Sequence, residues 1–279
     1  MTITVLGPQR RPTVTALPAG TVAATITAGW RAREPDDAEL DRLLGGGTVN
    51  LRLYERWLDV LDRDRELAAA EVNHRVVAEE LQELYALQVE RAGQAMDAIR
   101  RTATRPRTRD GALADAEAAL RLLDERHLDR MSTIRTDFEA AWRPAERDAV
   151  AQHRDEVRTE LDRAGVLVIT GGHVGVLLHV LRLFAVTPPG DVLAWSAGAM
   201  ALTDRVVLFT DGRAETYAPG LGLVPETVLL PHARRRLPVD DPIRLGALAR
   251  RFAPARCVVL DDGGTLAAAK VIDPDGRLS

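Results

Sequence analysis

The spacing of hydrophobic positions changes twice along the chain. Residues 1–47 carry short apolar, β-branched runs: ITVL at 3–6, TVTAL at 13–17 and VAATITAG at 22–29. Each predicts a strand, the last a buried one ending in a glycine turn. EPDDAELDRLLGGG at 34–47 has a proline and acids in its first turn and a glycine stop, which predicts a helix. Over 48–163 glycine and proline almost vanish and the period becomes helical. Leu81, Leu84, Leu87, Met96 and Ile99 mark one face of a helix. Leu113, Leu120, Leu123, Leu128, Met131, Ile134 and Phe138 mark another. Breaks at 102–111 and at Arg143-Pro144 divide the stretch into two or three long helices, predicting an antiparallel hairpin or small bundle.

Residues 164–279 return to strands alternating with helices. AGVLVITGG (164–172) reads as a strand running into a glycine turn, and 174–184 as a helix. Residues 191–202 read as a strand, a sharp turn and a helix, 205–212 as a strand and 243–252 as a helix. Residues 257–272 read as a hairpin with Asp261-Asp262-Gly263-Gly264 at its tip. Such interleaving predicts an α/β fold of three layers, a mostly parallel sheet covered on both faces. Residues 1–47 and 164–279 would form the two parts of the core, and 48–163 a long helical insertion.

Composition narrows the function classes. A chain of 279 residues that is 46% hydrophobic can build a sizeable core. Its net charge of -4 argues against a nucleic-acid partner. One cysteine, Cys257, excludes an internal disulfide and a Cys-rich zinc site. There is no apolar run of about 18 residues, so no membrane span is expected. The opening residues lack the pattern of a signal peptide, and a cytoplasmic location is the expectation. No cofactor and no metal is expected. The 37 basic residues include a single lysine, Lys270, so arginine supplies the rest; its forked guanidinium suits carboxylate binding.

The chemistry gathers in the last third. Ala194-Trp195-Ser196-Ala197-Gly198-Ala199 takes an apolar strand through small residues into a helix, the sequence form of a nucleophile elbow. Small residues are needed because a bulky Cβ would strike the neighbouring strand. Ser196 at the helix start would meet free N–H groups, and the Ala197 N–H would supply half an oxyanion hole. Thr170-Gly171-Gly172-His173 ends a second strand, where ligands of open parallel sheets bind, and Gly172 would supply the other N–H. A serine nucleophile needs a base. His74, His127 and His153 lie on charged helices and are expected to be solvated, and His179 on an apolar helix is expected to be packed. His232, after Gly220-Leu221-Gly222-Leu223 and Pro231, is the better base; Asp211 or Glu215 would orient it. His173, Gly171, Trp195 as a pocket wall, and Arg234 and Arg235 after the histidine are candidate substrate contacts.

The ordered trio of Gly-Gly turn, Ser-Ala-Gly-Ala elbow and Gly-Leu-Gly-Leu…Pro-His resembles the serine peptidase family of dipeptidase E and cyanophycinase, which has the class I glutamine amidotransferase-like, flavodoxin-like fold. The Asp-Asp-Gly-Gly-Thr-Leu segment at 261–266 resembles that family's late acidic segment more weakly. The resemblance implies a serine hydrolase of peptide or small amide substrates, with Ser196 as nucleophile, His232 as base and Asp211 or Glu215 as acid. Thr170 and His173 depart from the family's turn, and the helical insertion has no counterpart. Ammonia transfer from glutamine is disfavoured, because that chemistry needs a cysteine in the elbow. Two alternatives stand beside the hydrolase: an inactive binding or scaffold protein using the helical insert, and an acyltransferase using the same serine. The insert is expected to pack beside the sheet and shape the cleft mouth; a lid and the arm of a homodimer are its other readings.

Overall fold

A computed structural model describes residues 1–9, 14, 16–210, 213–237 and 239–279. Its central sheet holds β1 (Ile3–Leu6), β2 (Ala23–Ile26), β3 (Val49–Asn50), β4 (Val166–Ile169) and β5 (Asp191–Trp195) in the order β1-β5-β4-β2-β3. Every pairing is parallel. Alternation along each strand sorts side chains between two cores. Val5, Ala24, Ile26, Leu167, Ile169, Val192 and Ala194 join the larger core. Leu6, Ala23, Val168 and Trp195 join a smaller one that α1 (Ala38–Leu44) closes with Leu40 and Leu44. The mixed α/β fold expected from the sequence is thus present, with a parallel sheet buried on both faces. The strand expected at 13–17 is absent at 14, 16 and 17; Thr13 and Thr15 lie outside the described residues.

The helical stretch comprises α2 (Leu53–Arg63), α3 (Arg65–Arg101), α4 (Pro106–Trp142) and α5 (Asp148–Leu161). α3 and α4 form an antiparallel hairpin, Tyr85 standing opposite Asp124 and Gln82 opposite His127. The stripe read across 81–99 divides in two. Tyr85, Val89 and Met96 are buried against Leu120, whereas Leu84 and Leu87 point to solvent. α6 (Val174–Leu183) follows β4, and α7 (Ala197–Ala201) follows β5. The chain continues with an antiparallel pair, β6 (Arg205–Thr210) and β7 (Arg213–Pro219). It then forms β8 (Thr227–Pro231), α8 (Ala233–Arg236), α9 (Pro242–Phe252), β9 (Arg256–Leu260) and β10 (Lys270–Ile272). β8 and β9 run parallel, and β10 returns antiparallel to β9 as the predicted hairpin.

A buried ion pair fastens the helical hairpin to this second part. Arg251 of α9 is 7% exposed and Asp124 of α4 1%. Two guanidinium nitrogens, Nε and Nη2, reach the Asp124 carboxylate at 2.7 and 2.6 Å. Arg251 also donates to the Ala214 carbonyl at 2.8 Å and the Tyr85 hydroxyl at 2.9 Å. The Tyr85 hydroxyl donates to Asp124 at 2.5 Å and accepts the Thr216 N–H at 3.0 Å. A buried charge persists only when its donors and acceptors are answered in this way. Burial pushes the Tyr85 hydroxyl pKa up to about 12.

Two of the histidines expected in solvent are buried instead. His127 stacks on Tyr85 with centroids 4.1 Å apart, and burial drives its pKa down. His153 lies between Asp59 (Nε2 to Oδ2, 2.8 Å) and Arg56 (Nδ1 to Nη1, 3.0 Å). Charged helices hide these rings because the charges beside them pair with one another across the helix interfaces. His179 packs on Trp57, at 4.7 Å between centroids.

Candidate active site

The C-terminal ends of the parallel strands form one rim, and backbone geometry there departs from the ordinary at Ser196, Gly172 and Arg31. β5 is followed at once by Ser196, whose φ of 51° and ψ of -121° are rare for any residue with a side chain. The bend lets α7 start at once, lying across the end of β4. A methyl on Gly198 would stand 2.4 Å from the Thr170 carbonyl oxygen, so glycine is needed there. After β4, Gly171 passes directly over the serine. A methyl on Gly171 would stand 3.0 Å from Ser196 Cβ, 3.2 Å from its Oγ and 3.8 Å from Ala197 N. Gly172 follows with φ 120° and lies tight against Gly29, whose carbonyl accepts the His173 N–H at 2.8 Å. Arg31, past the end of β2, repeats the conformation of Ser196 at φ 57°, ψ -125°.

His173 caps α6, its Nδ1 accepting the Val176 N–H at 3.2 Å. Burial, reinforced by the nearby Arg31 charge, lowers its pKa below the ordinary histidine value. Nδ1, as the acceptor of that N–H, is the unprotonated ring nitrogen in this contact. Glu34, close by in sequence, is not part of the rim chemistry. It is fully buried and its carboxylate accepts the Tyr54 and Glu55 N–H groups at the start of α2.

β1 carries the rim across to the second sheet. Leu6 pairs with Trp195, and the Gly7 N–H donates to the Gly264 carbonyl at 2.8 Å. Gly264 belongs to the turn after β9, and β9 pairs in register with β8 up to Pro231–Leu260. His232 follows Pro231 in a left-handed conformation, φ 59° and ψ 33°, with its N–H donating to the Leu260 carbonyl at 3.3 Å. Its Nδ1 faces Asp262 Oδ1 at 3.7 Å, an ion-pair distance beyond hydrogen-bond reach. The neighbouring Asp261 accepts the Arg234 N–H at 3.2 Å and pairs with the Arg234 guanidinium at 3.3 Å. Ser196 and His232 thus stand on loops linked across the end of β1.

The other expected site residues are distributed as follows. Ala197 opens α7 beside the serine. Trp195 packs into the core with Leu6, Leu40 and Leu44, because alternation sends it to the α1 face with Leu193. Glu215 on β7 is buried and its Oε2 meets the Gln82 amide of α3 at 3.5 Å. It serves the hairpin contact; among the described residues, Asp262 is an acid that faces His232. Asp211 lies outside the described residues. Arg235 is exposed on α8. Asp262 was legible as a hairpin tip, but its meeting with His232 depends on the β8–β9 register. Cys257 is buried, and burial raises its thiol pKa to about 12, which keeps it inert.

A hollow of about 450 Å³ is lined by none of these residues. It lies among Arg56, Asp59, His153 and Glu160, whose charges largely pair among themselves. Among the described residues, no group of three His, Cys, Asp or Glu side chains is arranged to hold a metal, and no helix is long and apolar enough to cross a membrane. No family model matches the chain, and no curated protein is significantly similar to it.

Proposed function

We propose that this protein is a serine hydrolase that cleaves a peptide or related amide bond. The observation that carries the reading is Ser196: a non-glycine residue in a strained bend at a strand end, its Oγ against the Gly171 turn. Strain of this kind costs of order 1–3 kcal/mol and persists where the surrounding structure enforces it for a purpose. The strand order, in which the chain reverses direction between β2 and β4, also suits a flavodoxin-like, amidotransferase-like core with its ligand at that switch point.

In the proposed reaction His232 takes the Ser196 proton as Oγ attacks the carbonyl carbon. The N–H groups of Ala197 and Gly172 hold the oxyanion. Collapse expels the amine, which leaves with the proton from His232, and an acyl-enzyme remains. Water, deprotonated by His232, then releases the acid and restores the serine. Asp262 orients the imidazole, closing from its resting 3.7 Å as catalytic contacts commonly do when substrate binds. Arg31 and Arg234 supply cations at the rim.

An activated ester such as 4-nitrophenyl acetate tests the reading. The intact protein should release a burst of nitrophenol close to one equivalent. Ser196→Ala should show none, and His232→Ala should slow the burst at least a hundredfold. A burst of equal size from Ser196→Ala would remove the proposal.

A further inference from the structure

α3 presents a second apolar face, turned away from the one it buries with Tyr85, Val89 and Met96. Leu84 and Leu87 are 59% and 55% exposed, and Val77 is 42% exposed. Positions 77, 80, 84, 87, 91 and 94 alternate in steps of three and four, the period of a coiled-coil seam. All six residues, Val77, Glu80, Leu84, Leu87, Arg91 and Gln94, are exposed.

This stripe complements a reversed copy of itself. Laid antiparallel, Leu84 meets the partner's Leu87, and Leu87 the partner's Leu84, so four leucines close the centre. One layer outward on each side, Glu80 meets the partner's Arg91. Beyond that, Val77 meets the partner's Gln94. These pairs follow from one two-fold axis between positions 85 and 86, and each joins an a position to a d position, as antiparallel seams require. A parallel arrangement would set Glu80 on Glu80 and Arg91 on Arg91, so charge selects the antiparallel one. Among the described residues neither Glu80 nor Arg91 forms an ion pair within its own chain; Arg91 donates to the Gln94 amide at 2.9 Å. Both charges are therefore available across such an interface.

We propose that this face of α3 is an antiparallel docking surface for a second copy of the chain, centred on Leu84 and Leu87 and flanked by two Glu80–Arg91 ion pairs. The inference does not depend on the serine chemistry.

Light scattering on the full chain, from about 1 to 100 µM, tests it. The wild type should run as a dimer at the upper end of that range. Glu80→Arg and Arg91→Glu, each of which puts like charges on both flanks, should each run as monomers with unchanged helix content. Mixing these two single variants places opposite charges on both flanks and should give a heterodimer. The double variant should regain the homodimer. A wild type that stays monomeric at 100 µM overturns the proposal, as does a dimer indifferent to both single substitutions. A mixture of the two variants that stays monomeric overturns it as well, because the facing pair would then be wrong.

Discussion

Gly171 sets how closely the turn after β4 approaches Ser196. Adding a methyl places carbon 3.2 Å from the Oγ, tight enough to displace the hydroxyl without reaching the core. Gly171→Ala should therefore slow acylation by an activated ester at least tenfold while leaving thermal stability within about 1 kcal/mol of wild type. Asp262, which faces the histidine, and Glu215, which meets Gln82, separate just as cleanly. Asp262→Asn should slow acylation about tenfold or more, because the residue facing His232 loses its charge; Glu215→Gln should leave the rate unchanged, its partner being Gln82. At this scale the sequence was informative where chemistry is local. Ser196, Gly198 and the Gly-Gly turn announce a tight strand-to-helix bend through residue size alone. Asp262 did not announce itself, since its place beside His232 arises from two strands pairing in register across some thirty residues.

The α3–α4 hairpin is held to β7 and α9 by a few buried polar groups whose charges balance. Asp124→Asn leaves the Arg251 guanidinium buried without a counter-charge, which should cost about 3–5 kcal/mol in urea unfolding. His127 adds a pH dependence. Its folded pKa lies below the unfolded value near 6.5, so the unfolded chain binds the proton first as pH falls. Stability should accordingly fall between about pH 7 and 5, and His127→Gln should flatten that slope even though the variant is less stable throughout. A slope unchanged by His127→Gln would assign the effect to other groups. The helices themselves were readable from their period and from the breaks at 102–111 and Arg143-Pro144. The buried faces were not. Two apolar stripes share α3, one around Tyr85 and one around Leu84, and periodicity cannot rank them when the charged residues beside the buried stripe are paired.

Across the whole molecule, parallel strands from distant parts of the chain bring their ends to one rim. β1 lies beside β5, nearly two hundred residues away, and its Gly7 then carries the rim to the turn after β9. The interleaving of strands with helices foretold a sheet covered on both faces, and it said nothing of the order β1-β5-β4-β2-β3, because every strand presents the same apolar pattern. That order is what sets the serine loop beside the end of β1, which the Gly7–Gly264 hydrogen bond ties to the turn after β9. The most direct test of the account is peptide mapping by mass spectrometry after exposure to a fluorophosphonate. The account predicts one phosphonyl adduct per chain, on Ser196, formed far more slowly in His232→Ala. An unlabelled wild-type protein, or an adduct confined to any other residue, would contradict it.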